Sequence, residues 1–234
     1  MEKIRQNIER IQNEIADRAL RCGRDPADIR LMAVTKTVDF GRIREAALAG
    51  LSLFGENYVQ EAKEKIEKLR ADIDRDMKWH MIGYLQSNKA KYAVHLFDMV
   101  QTVSKMTLAA ELDKRSGALR RKMDILIEVN ISGEPAKSGL TPDQVIPFLE
   151  SIMGFQNIYV RGLMTMPPWF DDPEKARPYF RKLRELSEQI AERRINGVVM
   201  QELSMGMTDD YAVAVEEGAT IVRIGRGIFG ERKV

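Results

Sequence analysis

The residue with the clearest chemical potential in this sequence is Lys36, which directly follows the apolar run of residues 31–35. A lysine that closes a buried strand is partly desolvated, and burial lowers the pKa of an amine. A neutral lysine amine can form a Schiff base with a carbonyl compound. The alternative is a side chain that reaches solvent from the strand end and does no chemistry.

A glycine-containing turn with a hydroxyl group lies near the end of the sequence. In this turn, LSMGMTDD, Ser204 and Gly206 precede a predicted helix start capped by Thr208 or Asp209. Backbone N–H groups at such a helix start, together with the Ser204 hydroxyl, can hold a phosphate group. Ser204 can equally act as a local cap, so both interpretations stay open.

A second turn, IGRG, adds the unhindered backbone of Gly225 and the cation of Arg226. The two turns follow the seventh and eighth predicted strands, where (β/α)8 barrels often bind phosphate. Glycine after a strand is ordinary loop chemistry, so it is the pair of turns that indicates a phosphate site.

Three polar residues in or next to apolar runs have both a structural and a functional interpretation. Arg223 lies in the run IVRI. Once buried it needs a partner, which is either a carboxylate such as Glu202 or Glu128 or a ring atom of a ligand. His80 is either a hydrogen-bonded core residue or an acid–base group. Asn57 either shapes its own loop or borders the site.

The elements that must position these residues alternate regularly along the chain. Ile4, Ile8, Ile11 and Ile15 form one apolar stripe and predict an amphipathic first helix. Eight apolar runs then alternate with segments of helical period. The predicted strands are residues 31–35, 51–55, 78–82, 99–103, 124–130, 159–164, 198–203 and 220–224. Eight βα units after one extra N-terminal helix predict a single (β/α)8 TIM barrel, with a doubly wound sheet as the alternative.

Several helix boundaries are readable. Thr141 and Gln144 form a predicted capping box around Pro142. Gly50 and Gly218 stand where glycines commonly end helices. The charge-rich residues 61–75 predict a helix face in solvent.

Composition limits the class of protein. Of 234 residues, 44% are hydrophobic and 31% charged, and the net charge is +2, so the chain has no basic stripe for nucleic acid. One cysteine, Cys22, and two histidines cannot build the usual zinc sites. Charges run through the first twenty residues, and no stretch has the roughly 18 apolar residues of a membrane span. We therefore expect one cytoplasmic domain over residues 1–234 that binds neither nucleic acid nor membrane.

Six phrases in order along nearly the whole chain carry a family likeness: AVTKTV, FGENYVQEAKEKIE, WHMIGYLQSNK, GLMTMPP, LSMGMTDD and VRIGRGIFG. They resemble the pyridoxal 5′-phosphate (PLP) homeostasis proteins, the YggS/PROSC-type relatives of the alanine racemase N-terminal barrel. The resemblance implies an internal aldimine of PLP on Lys36, a phosphate held by the two turns, and Arg223 facing the pyridine nitrogen. The implied cofactor contacts are Lys36, Asn57, His80, Met81, Ile82, Gly83, Ser204, Met205, Gly206, Arg223, Gly225 and Arg226. An arginine stays protonated and gives no proton to the ring, so the cofactor should be a weak electron sink.

Two adjacent positions depart from the family pattern. Members usually carry Thr or Ser and then Ala after RIG, whereas this chain has Arg226 and Gly227. The lost hydroxyl removes a phosphate contact, unless Arg226 turns inward and replaces it with a charge-assisted one.

The resemblance implies a protein that holds PLP and affects vitamin B6, amino-acid and keto-acid pools without robust turnover. Its expected partners are PLP and apo forms of PLP-dependent enzymes as recipients, and by analogy it is a monomer. The first alternative is a weak PLP-dependent racemase that uses Lys36 with His80 or Tyr58 as second base. A Schiff-base aldolase or phosphosugar enzyme and a pure scaffold are more distant alternatives. Alanine racemases take a tyrosine from a second domain and a partner subunit, and no second domain is expected here.

Overall fold

The computed structural model describes residues 2–231 and shows eight parallel strands that close into a barrel in chain order. The strands are β1 (Arg30–Val34), β2 (Leu53–Glu56), β3 (Lys78–Met81), β4 (Met99–Val103), β5 (Met123–Glu128), β6 (Ile158–Met164), β7 (Val198–Ser204) and β8 (Ile221–Ile224). The α-helices are α1 (Glu2–Arg21), α2 (Phe40–Leu48), α3 (Val59–Asp72), α4 (Ala90–Leu96), α5 (Met106–Ala118), α6 (Pro142–Ser151), α7 (Arg177–Glu192), α8 (Tyr211–Glu216) and α9 (Arg226–Phe229).

The predicted (β/α)8 barrel with an extra N-terminal helix is confirmed. β1 pairs with β8 in the register Arg30↔Ile221, which closes the sheet and makes the alternative of an open doubly wound sheet wrong. Met1 and residues 232–234 of the predicted 1–234 domain lie outside the described residues.

Both faces of the strands are covered, as near-continuous apolar runs predict. The outward side chains pack in a layer between strands and helices. In this layer Phe54 of β2 stacks on Trp79 of β3, with ring centroids 5.0 Å apart. The inward side chains form small clusters within the barrel, one of which contains Met32, Leu53 and Ile82. The alternation along each strand therefore decides which residues reach the barrel interior.

The predicted amphipathic first helix is α1. Its isoleucines at 4, 8, 11 and 15 are buried, and the helix packs against α2, α8 and α9. Asn7 Nδ2 donates to the carbonyl oxygen of Ile228 at 2.9 Å, which ties α1 to the last helix.

Local boundary signals are confirmed at three positions. The capping box of α6 is present, with Thr141 N donating to Gln144 Oε1 at 3.1 Å. Gly50 and Gly218, with φ of +104° and +103°, end their helices in a conformation that glycine tolerates best.

No helix within residues 2–231 is long and apolar enough to cross a membrane.

Strand ends differ from the prediction at the positions that matter for the site. β2 extends through Glu56, β5 ends at Glu128 rather than residue 130, and β7 includes Ser204. Asn130 instead organises the following loop, since its Nδ2 donates to Glu134 O at 2.8 Å and its Oδ1 accepts from Gly133 N at 3.1 Å.

Candidate functional site

Lys36 lies at the mouth formed by the carboxyl ends of the strands. Met32 and Val34 of β1 pack in the barrel interior, and the alternation places Lys36 on the same inner face. An added Cβ on Gly225 would lie 3.5 Å from Val34 Cβ. The turn after β8 therefore lies directly beside the strand that carries Lys36.

A directed chain of hydrogen bonds crosses the barrel interior from β8 to β3. Arg223 Nη1 donates to Ser204 Oγ at 2.8 Å, and Ser204 Oγ donates to Gln101 Oε1 at 2.6 Å. Gln101 Nε2 lies 2.8 Å from His80 Nδ1. Since Gln101 accepts from Ser204 through its oxygen, its nitrogen donates to His80, and the proton of the imidazole is on Nε2.

Arg223 is a buried cation whose hydrogen-bond acceptors are neutral. Besides Ser204, its Nη2 donates to the carbonyl oxygen of Thr165 at 2.8 Å. Glu202 instead forms an ion pair with Arg30, whose Nη2 lies 2.5 Å from Glu202 Oε1. Glu128 makes no ion pair with Arg223. Within residues 2–231, neither of the two carboxylates that the sequence suggested is therefore the partner of Arg223. Burial lowers the pKa of Arg223 to about 10 against the opposing effect of Asp210 and Glu128, so it stays charged at neutral pH.

His80 is a neutral, hydrogen-bonded residue of the barrel interior, which is the structural one of its two sequence interpretations. It is 3% exposed. Burial, and then the positive charges of Arg30 and Lys78, lower its pKa to about 3. Its Nδ1 lone pair is engaged by Gln101, so the imidazole is not available as a base at neutral pH.

The turns after β2 and β3 are in close contact. An added Cβ on Gly83 would lie 2.4 Å from the carbonyl oxygen of Asn57, so only glycine allows this approach. Gly83 O accepts from Thr102 Oγ1 at 2.7 Å. Ile82 packs inside the barrel, whereas Met81 packs in the layer between strands and helices.

The turn after β7 also requires glycine. Gly206 has φ +90°, and a Cβ there would lie 2.5 Å from Ala214 Cβ. The preceding Met205 is fully buried among the strand–helix contacts. The hydroxyl of Ser204, predicted to lie in this turn, points into the barrel because β7 runs one residue further than predicted.

The predicted helix start after this turn is wrong. α8 begins at Tyr211, and the cap is neither Thr208 nor Asp209. Asp210 Oδ1 accepts from Met207 N at 2.6 Å. Thr208 Oγ1 instead accepts from Gly227 N at 3.2 Å, which joins the turns after β7 and β8.

Arg226 turns away from the mouth. Its Nη2 lies 2.6 Å from both carboxylate oxygens of Asp209, and its side chain is 49% exposed. The inward orientation considered from the sequence is not observed, because the guanidinium is paired with Asp209.

Sequence reasoning missed a charged cluster behind the Lys36 turn. Lys65 of α3 is buried and donates to Glu56 Oε1 at 2.8 Å and to Glu61 Oε1 at 2.6 Å. The prediction of a helix face in solvent over 61–75 is therefore wrong at this position. The signal was present, since Lys65 falls on the apolar stripe that contains Ala62, Ile66 and Leu69.

The assembled donors suit a small ligand with an aldehyde, a ring acceptor and a phosphate. Lys36 supplies an amine, Arg223 a buried hydrogen-bond donor, and the turns at Gly206 and Gly225 supply closely approachable backbone. In residues 2–231 no group of three His, Cys, Asp or Glu side chains is placed to hold a metal ion. Because Lys36, Arg223 and the two glycine turns match the aldehyde, the ring acceptor and the phosphate, the residues present fit PLP.

Comparison with known proteins identifies the family. Residues 1–233 match the family model of the alanine racemase N-terminal domain. The pyridoxal phosphate homeostasis protein of Aquifex aeolicus is 44% identical over 232 residues, which cover 99% of this chain and 98% of the relative. The resemblance drawn from the six phrases is thus confirmed.

Solved structures agree with this family assignment. A crystal structure described as an unknown protein from Bifidobacterium adolescentis superimposes with a TM-score of 0.91 and 34% identity, covering 97% of this chain and 95% of that one. PipY of Synechococcus elongatus, solved with PLP bound, gives a TM-score of 0.80 and 35% identity and covers 92% and 100%. Alanine racemase of Clostridium difficile shares the fold, with a TM-score of 0.74 at 13% identity, and this chain covers 58% of it. By family model and by relatives over nearly its full length, the chain belongs to the pyridoxal phosphate homeostasis proteins, which are built on the alanine racemase N-terminal barrel.

Proposed function

We propose that this protein binds PLP reversibly and covalently through Lys36 and takes part in vitamin B6, amino-acid and keto-acid homeostasis without robust catalysis of its own. The observation that carries the proposal is the placement of Lys36 at the barrel mouth beside the Gly225 turn. The solved PipY with PLP bound supports the choice of cofactor.

Bound PLP supplies an aldehyde that joins a lysine amine with loss of one water, and a ring that withdraws electrons from the joined carbon. Lys36 provides that amine. The backbone at Gly206 and Gly225 would hold the phosphate, and Asn57 and Gly83, which follow β2 and β3, would border the cofactor on the other side of Lys36. Ser204 at the end of β7 and Met205 directly after it lead into the Gly206 turn.

Arg223 supports binding over turnover. Its register partner on β1 is Met32, four residues before Lys36, so the guanidinium lies below the mouth. A group with a pKa of about 10 donates a hydrogen bond to a ring nitrogen at neutral pH but keeps its proton. Without a protonated ring, a carbanion at a substrate gains little delocalisation.

The two residues that the sequence suggested as the second base for racemisation, His80 and Tyr58, do not meet the requirement for this role. His80 is neutral, buried and bonded to Gln101 through Nδ1. Tyr58 lies on the surface with 60% of its area exposed. Proton exchange on both faces of a bound amino acid needs a positioned acid–base group on each side.

The chain acts as one cytoplasmic domain and as a monomer, and apo forms of PLP-dependent enzymes receive its cofactor. The open mouth supports exchange, because Lys36 is only half-buried.

Incubation of the PLP-loaded protein with single enantiomers of amino acids, followed by chiral chromatography, tests the absence of turnover. We expect no inversion above the rate of free PLP. Inversion that is lost in Lys36→Ala and kept in Lys63→Ala, an exposed lysine of α3, supports the racemase instead.

A further inference from the structure

The residue after Lys36 has an unusual backbone conformation. Thr37 has φ +59°, in the left-handed region that is unfavourable for a residue with a branched Cβ. Backbone strain of this kind persists where surrounding contacts hold it, and it is concentrated at functional sites. Contacts that hold Thr37 therefore also hold the direction in which Lys36 leaves the strand.

Those contacts come from α3. Glu61 Oε1 accepts from Thr37 N at 2.6 Å. Lys65, one helical turn further along, donates from Nζ to the carbonyl oxygen of Thr35 at 2.6 Å. The residues on both sides of Lys36 are thus bonded to two side chains of one helix.

The two side chains are themselves fixed. Lys65 bonds Glu61 and the buried Glu56, and Glu56 Oε1 also accepts from Thr35 Oγ1 at 2.6 Å. Glu56 is fully buried, and its Oε2 has no hydrogen-bond partner. Glu56 follows Phe54 on the outer face of β2, so the cluster lies between barrel and helix rather than in the mouth.

We propose that Glu61 and Lys65 are positioning residues that clamp the peptide groups on either side of Lys36 and thereby preset its amine for PLP. The inference rests on the proposed function and assigns a role in the same site to residues that lie behind the barrel mouth. Presetting an amine raises affinity because less conformational freedom is lost on binding.

The primary variant is Glu61→Ala, because Lys65 still compensates Glu56 and no buried charge is left alone. The matched control is Glu67→Ala on the same helix, which removes an exposed carboxylate 3.9 Å from Lys63. We expect Glu61→Ala to weaken PLP binding about tenfold, because Thr37 can then leave the left-handed conformation in the apo protein and must return to it on binding. We also expect faster hydrogen exchange at the Thr37 amide of the apo protein. Glu67→Ala should change neither.

A rescue variant separates clamping from general damage. Glycine adopts positive φ without strain, so Thr37→Gly added to Glu61→Ala should recover part of the lost affinity. Recovery supports the clamp. Affinity that falls further with the second change contradicts it.

Lys65 is tested with its charge partner. Lys65→Met alone leaves Glu56 buried and uncompensated and destabilises the fold, so the informative protein is the double variant Glu56→Gln/Lys65→Met. It should remain folded by circular dichroism and bind PLP more weakly than wild type.

Wild-type affinity and wild-type Thr37 exchange in Glu61→Ala overturn the clamp while leaving PLP binding intact. A wild-type protein without an adduct at Lys36 is a separate failure, of the proposed function.

Discussion

Inside the barrel, Ser204 Oγ accepts a hydrogen bond from Arg223 Nη1 at 2.8 Å and donates its own proton to Gln101. The single proton of this hydroxyl, one of whose two sequence interpretations is a phosphate contact, is thus donated to an interior side chain. To donate to a phosphate oxygen, Ser204 must give up its hydrogen bond to Gln101.

Ser204→Ala should lower the free energy of unfolding by about 1–3 kcal/mol, because Arg223 Nη1 and Gln101 Oε1 lose their partner in a buried place. Urea unfolding measures this. Ser151→Ala, at an exposed serine bonded to Phe148 O, is the control and should change little.

The same variant tests the phosphate contact. If Ser204 binds phosphate, Ser204→Ala weakens PLP more than it weakens pyridoxal, which has no phosphate. Equal losses for the two ligands remove Ser204 from the phosphate site.

The buried His80 predicts a pH dependence of stability. Its pKa is about 3 in the folded protein and 6.5 as the reference value, so between these values the unfolded chain binds a proton that the folded one does not. Stability therefore falls as pH decreases through this window, by up to about 1.4 kcal/mol per pH unit. From pH 7 to pH 5, wild type should lose about 2 kcal/mol more than His80→Asn, which keeps an acceptor for Gln101.

The comparison with His80→Asn cancels the carboxylates that titrate in both proteins. Glu56 and Asp210, whose pKa values burial raises, are among them. Parallel stability curves for the two proteins contradict a neutral buried His80.

The sequence predicts this site as far as inward and outward side chains alternate along each strand. Hydrophobic runs and glycines place Lys36, Gly206 and Gly225 at the carboxyl ends of strands, because burial on both faces leaves little freedom in the barrel. The side-chain direction of Ser204 depends on whether β7 ends one residue earlier or later. A local pattern does not decide this, since pairing of Ser204 with Ile221 in β8 extends the strand.

Long-range polar partners are the part that periodicity does not predict. Gln101 carries no motif, and its role follows only from facing His80 and Ser204 across a closed barrel. Lys65 has a sequence signal, a charge on an apolar stripe, but its partners Glu56 and Thr35 belong to strands that the fold brings to it.

Gly206→Ala should damage both stability and cofactor binding. Alanine at φ +90° is strained, and its Cβ meets Ala214 at 2.5 Å, so the loss should be about 1–3 kcal/mol. Gly154→Ala is the control, because a Cβ there has no neighbour within 4 Å. Thermal unfolding and PLP titration of the two variants measure the difference, and equal behaviour contradicts the tight turn.

Arg226→Thr should change PLP affinity only modestly, by about threefold or less, because the side chain is bonded to Asp209 at the surface and exposed ion pairs contribute little. Equilibrium dialysis measures the affinity. Asp209→Asn, which releases Arg226 without removing it, is the companion variant. A large loss in Arg226→Thr shows that Arg226 is a phosphate ligand after all.

The most direct test of the central claim is the visible absorption spectrum of the purified protein before and after addition of PLP, followed by borohydride reduction and peptide mapping. We predict a new visible band and, after reduction, a pyridoxyl adduct on Lys36 that is absent from Lys36→Ala and present in Lys63→Ala. No band and no adduct in the wild-type protein, or an adduct on another lysine alone, contradicts covalent binding at the barrel mouth.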